Sequence, residues 1–420
     1  MKIEMDNMAG RKTCYFLLLS LMVLPGVYIG NTIVNVCDFC IPVCLIMVLL
    51  KSNNEFKIVY SNLFLIIYVL IAITSIILAS FDADVFFPDL FLKWMRLAIV
   101  AMIPCILHFY RLNGLRLNEY QVIKYVIYFA TITSILGMLL YFSGSELYQP
   151  PQEISLLNGE IGRRAGGVFA DPATFSLILL FGFTLNCLVI IEIRNVKKIF
   201  FATLILIVAG ICIATNRTAI ISIFIVFMLL FVRERIKVKL KIIFLLLGLV
   251  IAVLLLFYYN ESFQYIIMTR FLIIDTASSY IDWDDVLAGR LNLWISAIDS
   301  FLDWNDLRTF LWGTGYKFVL DNSNNFMSDN NFISAFLSTG LLGGITYICW
   351  WGALINEILK IDKSKIYNMA IPYFFIIFLI FSFLGDALTM YRAAGTLLFL
   401  YSLAIENIMS DNISSQRGVK

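Results

Sequence analysis

Charged residues are scarce in this sequence. Only 14% of its 420 residues are charged, and histidine occurs once, as His108. An ordinary soluble domain carries about 25% charged residues, so this composition excludes a water-soluble fold. Hydrophobic residues make up 61% of the chain. The sequence therefore predicts a protein that crosses the membrane several times.

Cysteines are absent from the long polar stretches, because all eight fall inside apolar runs. This placement argues against a disulfide framework and against a zinc site. Cys37 and Cys40 form a CxxC pair, which we interpret as small buried side chains within an apolar helix. The acidic residues of the polar stretches are scattered and have no histidine or cysteine beside them. We therefore expect neither a metal ion nor any other cofactor.

Apolar runs of helix length predict about twelve transmembrane helices, since about 20 apolar residues span a bilayer core. The runs lie at 14–30, 33–50, 58–80, 97–110, 122–142, 173–193, 199–213, 218–232, 242–259, 331–357, 368–385 and 393–409. The first run is followed by no small-x-small cleavage pattern, so we interpret it as helix 1 rather than as a signal peptide. The predicted fold class is an all-α polytopic membrane protein.

Two longer polar stretches interrupt this series and divide the chain into six segments. These are helices 1–5 at 1–142, a loop at 143–172, helices 6–9 at 173–259, one large late loop at 260–330, helices 10–12 at 331–409 and a tail at 410–420. Of the 31 Lys and Arg residues, 21 fall at the termini and in the loops of one side. The positive-inside rule makes that side cytoplasmic. Both termini are then expected inside, and both long loops outside.

The basic residues assigned to the outside are mostly arginine, eight of ten. A guanidinium binds phosphate oxygens in a bidentate way and tolerates partial burial, so such an outer face suits a diphosphate ligand. Arg163 and Arg164 precede Asp171-Pro172, which we expect to be the cap and first residue of helix 6. The alternative for each arginine is that it snorkels at the interface or pairs with a carboxylate.

Arg217 is the most unusual of these arginines, because only a few polar residues separate the apolar runs on either side of it. A charge so close to membrane depth is costly and indicates function. Asp386 and Arg392 flank a similar tight turn, where the alternative is that they pair with each other.

The large late loop combines ten acidic residues with four tryptophans. Its acidity excludes electrostatic binding of nucleic acid. Trp294 is a candidate sugar contact, although an interfacial aromatic belt has the same composition. Apolar residues between Gly289 and Phe301 recur at helical spacing, which predicts an amphipathic helix on the membrane that begins at Arg290. Asp329 opens helix 10, either as a catalytic base or as its N-cap.

The order of four motifs resembles the O-antigen ligase and polymerase superfamily from about residue 160 to 345. The motifs are Arg-x-Gly-Gly-x-Phe-x-Asp-Pro at 164–172, Asn-Arg-Thr-Ala at 216–219, Gly-Arg-x-x-x-Trp at 289–294, and the series Trp-Gly-x-Gly, Asp-Asn-Asn-Phe and Gly-Leu-x-Gly at 312–343. In this superfamily, ligases carry a histidine near the start of the helix after the large loop, whereas polymerases often carry an aspartate. Here that position reads Asp329-Asn330-Asn331, and His108 is expected at the cytoplasmic end of helix 4.

The resemblance therefore favours a polymerase on a GT-C-like fold. It implies transfer of a growing glycan from undecaprenyl diphosphate to the next lipid-linked repeat unit, at the outer face of the bacterial inner membrane. The residues that we expect to act are Asp329 as base, Arg217 and Arg290 on the diphosphate, and Arg163, Arg164, Asn330, Asn331, Trp294 and Arg392 as substrate contacts. The expected partners are the lipid-linked oligosaccharide, the bilayer and, as a candidate, a chain-length regulator, but no nucleic acid.

Two alternatives stay open at this stage. The first is an O-antigen ligase or a related lipid-linked glycan transferase. The second is a flippase or other transporter of the same lipid, which would place charged residues along a path between its helices. The helix interiors offer little beyond Asp38, so charge at the outer face favours surface chemistry over transport.

Overall fold

Helices dominate the computed structural model. It describes residues 2–29, 32–51, 60–83, 88–112, 117–143, 152–155, 161–169, 171–193, 196–233, 290–304, 306–315, 330–385, 387–388 and 390–417, with isolated positions between 239 and 258. The helices are α1 (Lys2–Met22), α2 (Val36–Lys51), α3 (Tyr60–Ala83), α4 (Pro88–Ala101), α5 (Ile103–Leu112), α6 (Glu119–Ser143), α7 (Pro172–Glu192), α8 (Lys198–Ala214), α9 (Arg217–Arg233), α10 (Arg290–Leu302), α11 (Leu307–Trp312), α12 (Asn331–Leu359), α13 (Ile366–Phe383) and α14 (Tyr391–Arg417). Two antiparallel hairpins accompany them, β1 (Gly26–Ile29) with β2 (Thr32–Asn35), and β3 (Gln152–Ser155) with β4 (Ile161–Arg164).

Five of these helices are long and apolar enough to cross a bilayer. They are α3 through Tyr60–Phe81, α6, α7, α12 and α13. Shorter apolar helical segments lie at Val36–Val48, Trp94–Tyr110, Lys198–Ala214 and Tyr391–Ile405. The protein is thus a helical membrane protein, as its composition predicts. The figure of twelve crossings stays a prediction, because most of 242–259 lies outside the described residues.

The N-terminal segment differs from the predicted helix over 14–30, and that prediction is wrong at its end. Helix α1 ends at Met22, and the chain then forms the β1–β2 hairpin, in which Tyr28 lies opposite Ile33. Pro25 explains the break, because it has no N–H to donate and disfavours helical backbone at the residue before it. The β-branched residues that follow suit extended pairing.

The predicted helix over 97–110 is also interrupted. Helix α4 ends at Ala101, and α5 begins at Ile103 after a turn at Met102. Pro104 cannot donate the hydrogen bond that would continue α4. The Met102 N–H instead reaches back three residues to the Ile99 carbonyl at 3.1 Å, which tightens the turn.

The chain forms two compact units. The first unit comprises residues 1–37, 116–275 and 362–380, and the second comprises 38–115, 276–361 and 381–420. Helix α7 is the core of the first unit, because its apolar membrane-spanning segment is entirely buried and α6, α8 and α9 pack around it. A buried amide links two of these helices, because Asn186 Nδ2 donates to the Phe200 carbonyl and to Thr203 Oγ1 at 3.0 and 2.9 Å.

The second unit is built on α3 and α12, which pack along each other. Ser75 Oγ on α3 donates to the Ser338 carbonyl of α12 at 2.6 Å. At the start of α3, the Ser61 N–H donates to Glu357 Oε1 at 3.2 Å, and Tyr401 donates to the same carboxylate. An acceptor on α12 therefore satisfies an N–H in the first turn of α3, where no intrahelical partner exists.

Candidate functional site

A junction in the first unit joins two of the motifs. The Ala165 N–H, just after β4, donates to the Ile213 carbonyl at 3.2 Å, and Arg164 Nε lies 3.4 Å from the Ala214 carbonyl oxygen. These carbonyls belong to the last turn of α8, where the helix itself supplies no donors. We call Arg164, Ala165 and residues 213–219 the arginine junction. The 164–172 and 216–219 motifs are thereby held against each other.

The turn between α8 and α9 gives the arginine junction its geometry. Thr215 takes a left-handed conformation with φ 47° and closes α8. Asn216 then precedes the first turn of α9, and its side-chain oxygen accepts from the Ala219 N–H at 3.3 Å. Arg217 is the first residue of α9 and is half-buried. A turn of only two residues thus places Arg217 at the N-terminus of α9.

This arrangement favours an anion. The N-terminus of a helix carries partial positive charge and presents N–H groups that the helix leaves unsatisfied. Arg217 adds a full charge at that end, and the half-buried Arg164 adds another at the adjoining end of α8. Phosphate groups bind at such helix ends. Arg163 lies beside Arg164 in β4.

The other half of the first motif caps a helix, as predicted. Asp171 is the N-cap of α7, and its carboxylate accepts from the Ala173 and Thr174 N–H groups at 3.1 and 2.8 Å. Pro172 is the first residue of that helix, where its missing N–H costs nothing. The expectation for Asp171 and Pro172 is confirmed, so this part of the motif has a structural role.

The second unit contains a junction of a different kind. Gly313 and Gly340 both have positive φ, 76° and 65°, and Gly340 breaks α12 at this point. The Thr314 and Gly315 N–H groups donate to the carbonyls of Leu337 and Ser338, each at 3.0 Å. A Cβ on Gly340 would lie 2.4 Å from the backbone of residue 311. We call residues 311–315 and 337–340 the glycine junction, where backbone packs directly on backbone.

The start of α12 is capped by an asparagine. The N-cap is Asn330, whose side-chain oxygen accepts from the Phe332 and Ile333 N–H groups at 2.9 and 3.2 Å. The alternative in which Asp329 is the N-cap is therefore wrong. Asn331 is buried and donates from Nδ2 to Ser382 Oγ at 3.3 Å. Asp329 itself lies outside the described residues.

Helix α10 begins at Arg290, as its sequence predicts, and it is amphipathic. Ile295 and Ile298 are about half exposed, whereas Ala297 is buried. The Phe301 ring anchors the helix through ring contacts with Phe310 of α11 and Phe336 of α12, at centroid distances of 5.4 and 5.7 Å. Trp294 is half-buried on this helix. Its contact with a sugar and the position of α10 on the membrane stay predictions.

Arg392 is the second residue of α14 and only 3% exposed. The neighbouring Tyr391 ring lies 5.3 Å below the guanidinium of Arg96, which also forms an ion pair with Asp38 at 3.1 Å. Our sequence reasoning missed this pair, although Asp38 was the charge that stood out inside an apolar run. Asp386, the alternative partner of Arg392, lies outside the described residues.

The predicted site residues thus fall into two sets. The first unit brings Arg164 and Arg217 to one junction, with Arg163 next in sequence. The second unit holds the remaining described candidates, which are Arg290, Trp294, Asn330, Asn331 and Arg392. Among the described residues, no group of histidine, cysteine and acidic side chains is arranged to hold a metal ion.

A comparison with known protein families finds a match for part of the chain. Residues 202–348, about a third of the sequence, match the Wzy_C family, described as O-antigen ligase. Over these residues, the match agrees with the superfamily that the motifs predict. The O-antigen ligase match begins within α8 and includes Arg217, Arg290 and the glycine junction, whereas Arg163, Arg164 and Arg392 lie outside it. No curated protein matches the chain.

Proposed function

We propose that this protein polymerises undecaprenyl-diphosphate-linked oligosaccharide repeat units into O-antigen or capsular polysaccharide, at the outer face of the plasma membrane. The observation that supports this most strongly is the arginine junction. It combines Arg217, within the O-antigen ligase match, with Arg164 and a helix N-terminus. Such a combination suits a lipid-linked diphosphate.

The donor sugar is already activated by its diphosphate, so the reaction needs little beyond charge stabilisation and proton transfer. The bond between the sugar and the diphosphate breaks, and the acceptor hydroxyl forms the new glycosidic bond. Arg217 and Arg290 stabilise the departing diphosphate, because preorganised cations act most strongly where charge develops. Asp329 takes the proton of the acceptor hydroxyl as general base.

Polymerase is preferred to ligase because of the residues at the start of α12. This position reads Asp329-Asn330-Asn331, where the ligases of the superfamily carry a histidine, and His108 belongs to α5. Ligase is the second candidate, since the matched family is described as O-antigen ligase. In both cases we place the termini in the cytoplasm and the diphosphate outside, and a chain-length regulator is a candidate partner of the polymerase.

The test is the surface glycan profile of a strain that lacks this gene, resolved on a gel beside the complemented strain. For a polymerase we expect the ladder of chain lengths to collapse to a single repeat unit, because export and attachment continue. Lipid-linked polymer that accumulates outside, without transfer, would instead indicate a ligase. Single lipid-linked repeats that accumulate inside would indicate a flippase.

Asp329 is tested by Asp329→Asn in the complemented strain. Because Asn330 caps α12, the expected loss of polymer reports proton transfer rather than helix capping. The matched control is Asp306→Asn. Asp306 caps the short helix α11, and asparagine caps equally well, so this variant should keep the ladder. Full polymer length with Asp329→Asn would remove Asp329 from the mechanism.

A further inference from the structure

We propose that the hydroxyl groups of Thr215 and Thr218 bind a phosphate oxygen of the lipid-linked diphosphate at the N-terminus of α9. This inference rests on the proposed function and adds two further residues to the same site. Among the described residues, the hydroxyl groups of both threonines form no hydrogen bond, and this observation carries the inference.

Thr218 is the second residue of α9 and 8% exposed. Within the described part of the chain, no hydrogen bond reaches its hydroxyl or its N–H. An N–H in the first turn of a helix has no intrahelical acceptor. Thr218 therefore offers two donors from one residue, side by side, at the positive end of a 17-residue helix.

The other described helices show that this is unusual. Serine and threonine hydroxyls here commonly donate to the carbonyl four residues earlier, as Thr184 does to Leu180 at 2.8 Å and Ser222 does to Thr218 at 2.7 Å. For Thr218 that carbonyl belongs to Ala214, which lies before α9 and already faces Arg164 Nε at 3.4 Å. The Ala214 carbonyl thus accepts from Arg164, and among the described residues it receives no hydrogen bond from the Thr218 hydroxyl.

Thr215 presents a second hydroxyl at the same turn. The residue is 2% exposed, and its Oγ1 is buried without a hydrogen-bond partner. Its φ of 47° is the one positive value among the described residues other than glycine, and a β-branched residue is rarely found there. Two unfavourable features at one residue, two positions before Arg217, indicate a role in function rather than in stability.

These groups share one ligand chemistry. A phosphate oxygen accepts hydrogen bonds from hydroxyl and backbone N–H groups, is attracted to the positive end of a helix, and pairs with a guanidinium. The Thr218 hydroxyl and N–H together with Arg217 provide such a set. Thr215, three residues before Thr218 in the same turn, adds a second hydroxyl donor.

The experiment measures binding of undecaprenyl diphosphate to the purified full-length protein in lipid nanodiscs. Thr215→Val and Thr218→Val keep the branched shape and remove only the hydroxyl. We expect each to weaken binding about ten-fold, the size of one lost hydrogen bond to a charged group. Thr218→Ser should bind as the natural protein does. Thr184→Val is the matched control and should bind normally, because its hydroxyl already has a partner.

The same measurement is made with undecaprenol, which lacks the diphosphate, and with inorganic pyrophosphate, which lacks the lipid. If pyrophosphate also binds more weakly to the valine variants, the anion alone is recognised, and if only the lipid diphosphate responds, the headgroup is recognised in its lipid-linked form. Both outcomes support the proposal. Unchanged binding by both valine variants, or equal binding of undecaprenol and undecaprenyl diphosphate by the natural protein, would overturn it.

Folding is monitored through thermal unfolding. A valine that replaces an unbonded buried hydroxyl should leave the melting temperature unchanged or higher. A lower melting temperature for Thr218→Val, with Thr218→Ser equally weak in binding, would assign the residue to structure and overturn the proposal. Failure of the polymerase proposal is visible separately, because it appears in the glycan profile and not in binding of the diphosphate.

Discussion

The arginine junction and the glycine junction both hold a loop against the end or the break of a helix, but they use different chemical groups to do so. Each packs a loop on an interrupted helical segment and satisfies backbone carbonyls that the helix leaves without donors. The arginine junction does so partly with a charged side chain, whereas the glycine junction uses N–H groups and has no room for a Cβ. Side chains that carry charge can act on a ligand, while backbone contacts fix geometry. We therefore expect damage to function at the first junction and damage to folding at the second.

The largest effect is expected at Gly340. Gly340→Ala places a Cβ 2.4 Å from the backbone of residue 311 at a φ of 65°. Backbone strain and overlap together should destabilise the second unit by at least about 3 kcal/mol. Loss of the monodisperse peak in size-exclusion chromatography would show this effect.

Gly352 in the same helix is the matched control, because nothing lies within 4 Å of an added Cβ. Gly352→Ala should leave folding intact or raise helix stability by about 1 kcal/mol. If both alanine variants behave alike, close backbone approach does not hold the glycine junction together.

The next largest effect is expected on activity, and it should differ between arginines at the two ends of α9. Arg217→Ala should lower polymer synthesis roughly 100-fold or more, as loss of one charge-stabilising group does in other enzymes, while the protein stays folded. Arg233→Ala removes the same side chain from the last residue of α9, where it lies 3.9 Å from Glu192. That control should keep its activity. Equal activity of the two variants in membranes would remove Arg217 from the mechanism.

A smaller effect is expected at the cap of α12. Asn330→Ala removes the acceptor of the Phe332 and Ile333 N–H groups, which should cost about 1 kcal/mol of unfolding free energy. Asn330→Asp keeps a capping oxygen and should stay near the natural stability. Thermal unfolding of both variants measures the difference. If Asn330→Asp also abolishes polymer synthesis while the fold is kept, Asn330 contacts substrate as well.

The smallest effect concerns the pH dependence of α11. Hydrogen bonds from the side chain and backbone of Thr309 and the backbone of Arg308 lower the pKa of Asp306. A carboxylate with a lowered pKa stabilises the fold above its unfolded pKa, and this contribution is lost as pH falls through the lower folded value. The melting temperature of Asp306→Asn should thus fall slightly less than that of the natural protein below pH 4. Parallel curves would contradict this prediction.

Local signals in the sequence predicted the starts of several elements correctly. Asp171 and Pro172 cap and open α7, and Arg290 opens α10, because caps and amphipathic spacing depend on residues that are neighbours in the chain. The hairpin at Gly26–Asn35 was missed for the opposite reason. Apolar composition alone predicted a helix there, although Pro25 and the β-branched residues after it favour extended backbone.

Contacts between distant segments could not be predicted. The bond from Arg164 to the Ala214 carbonyl joins residues 50 positions apart, and a backbone acceptor leaves no trace in the sequence. The pairing of Gly313 with Gly340 is similar, since each glycine separately indicates only a turn. Sequence therefore identified Arg217 as unusual, but the structure was needed to connect it with Arg164.

The hydrogen bond between Ser61 and Glu357 joins two residues that the ribosome makes at very different times. Its partners are 296 positions apart, and a ribosome adds roughly 5–20 residues per second. The first turn of α3 is therefore made on the order of 15–60 s before the carboxylate that completes it. During that interval the Ser61 N–H has no carboxylate acceptor from α12. Glu357→Ala should accordingly lower the melting temperature of the finished protein without changing the first insertion of α3, which precedes the synthesis of residue 357 in either case.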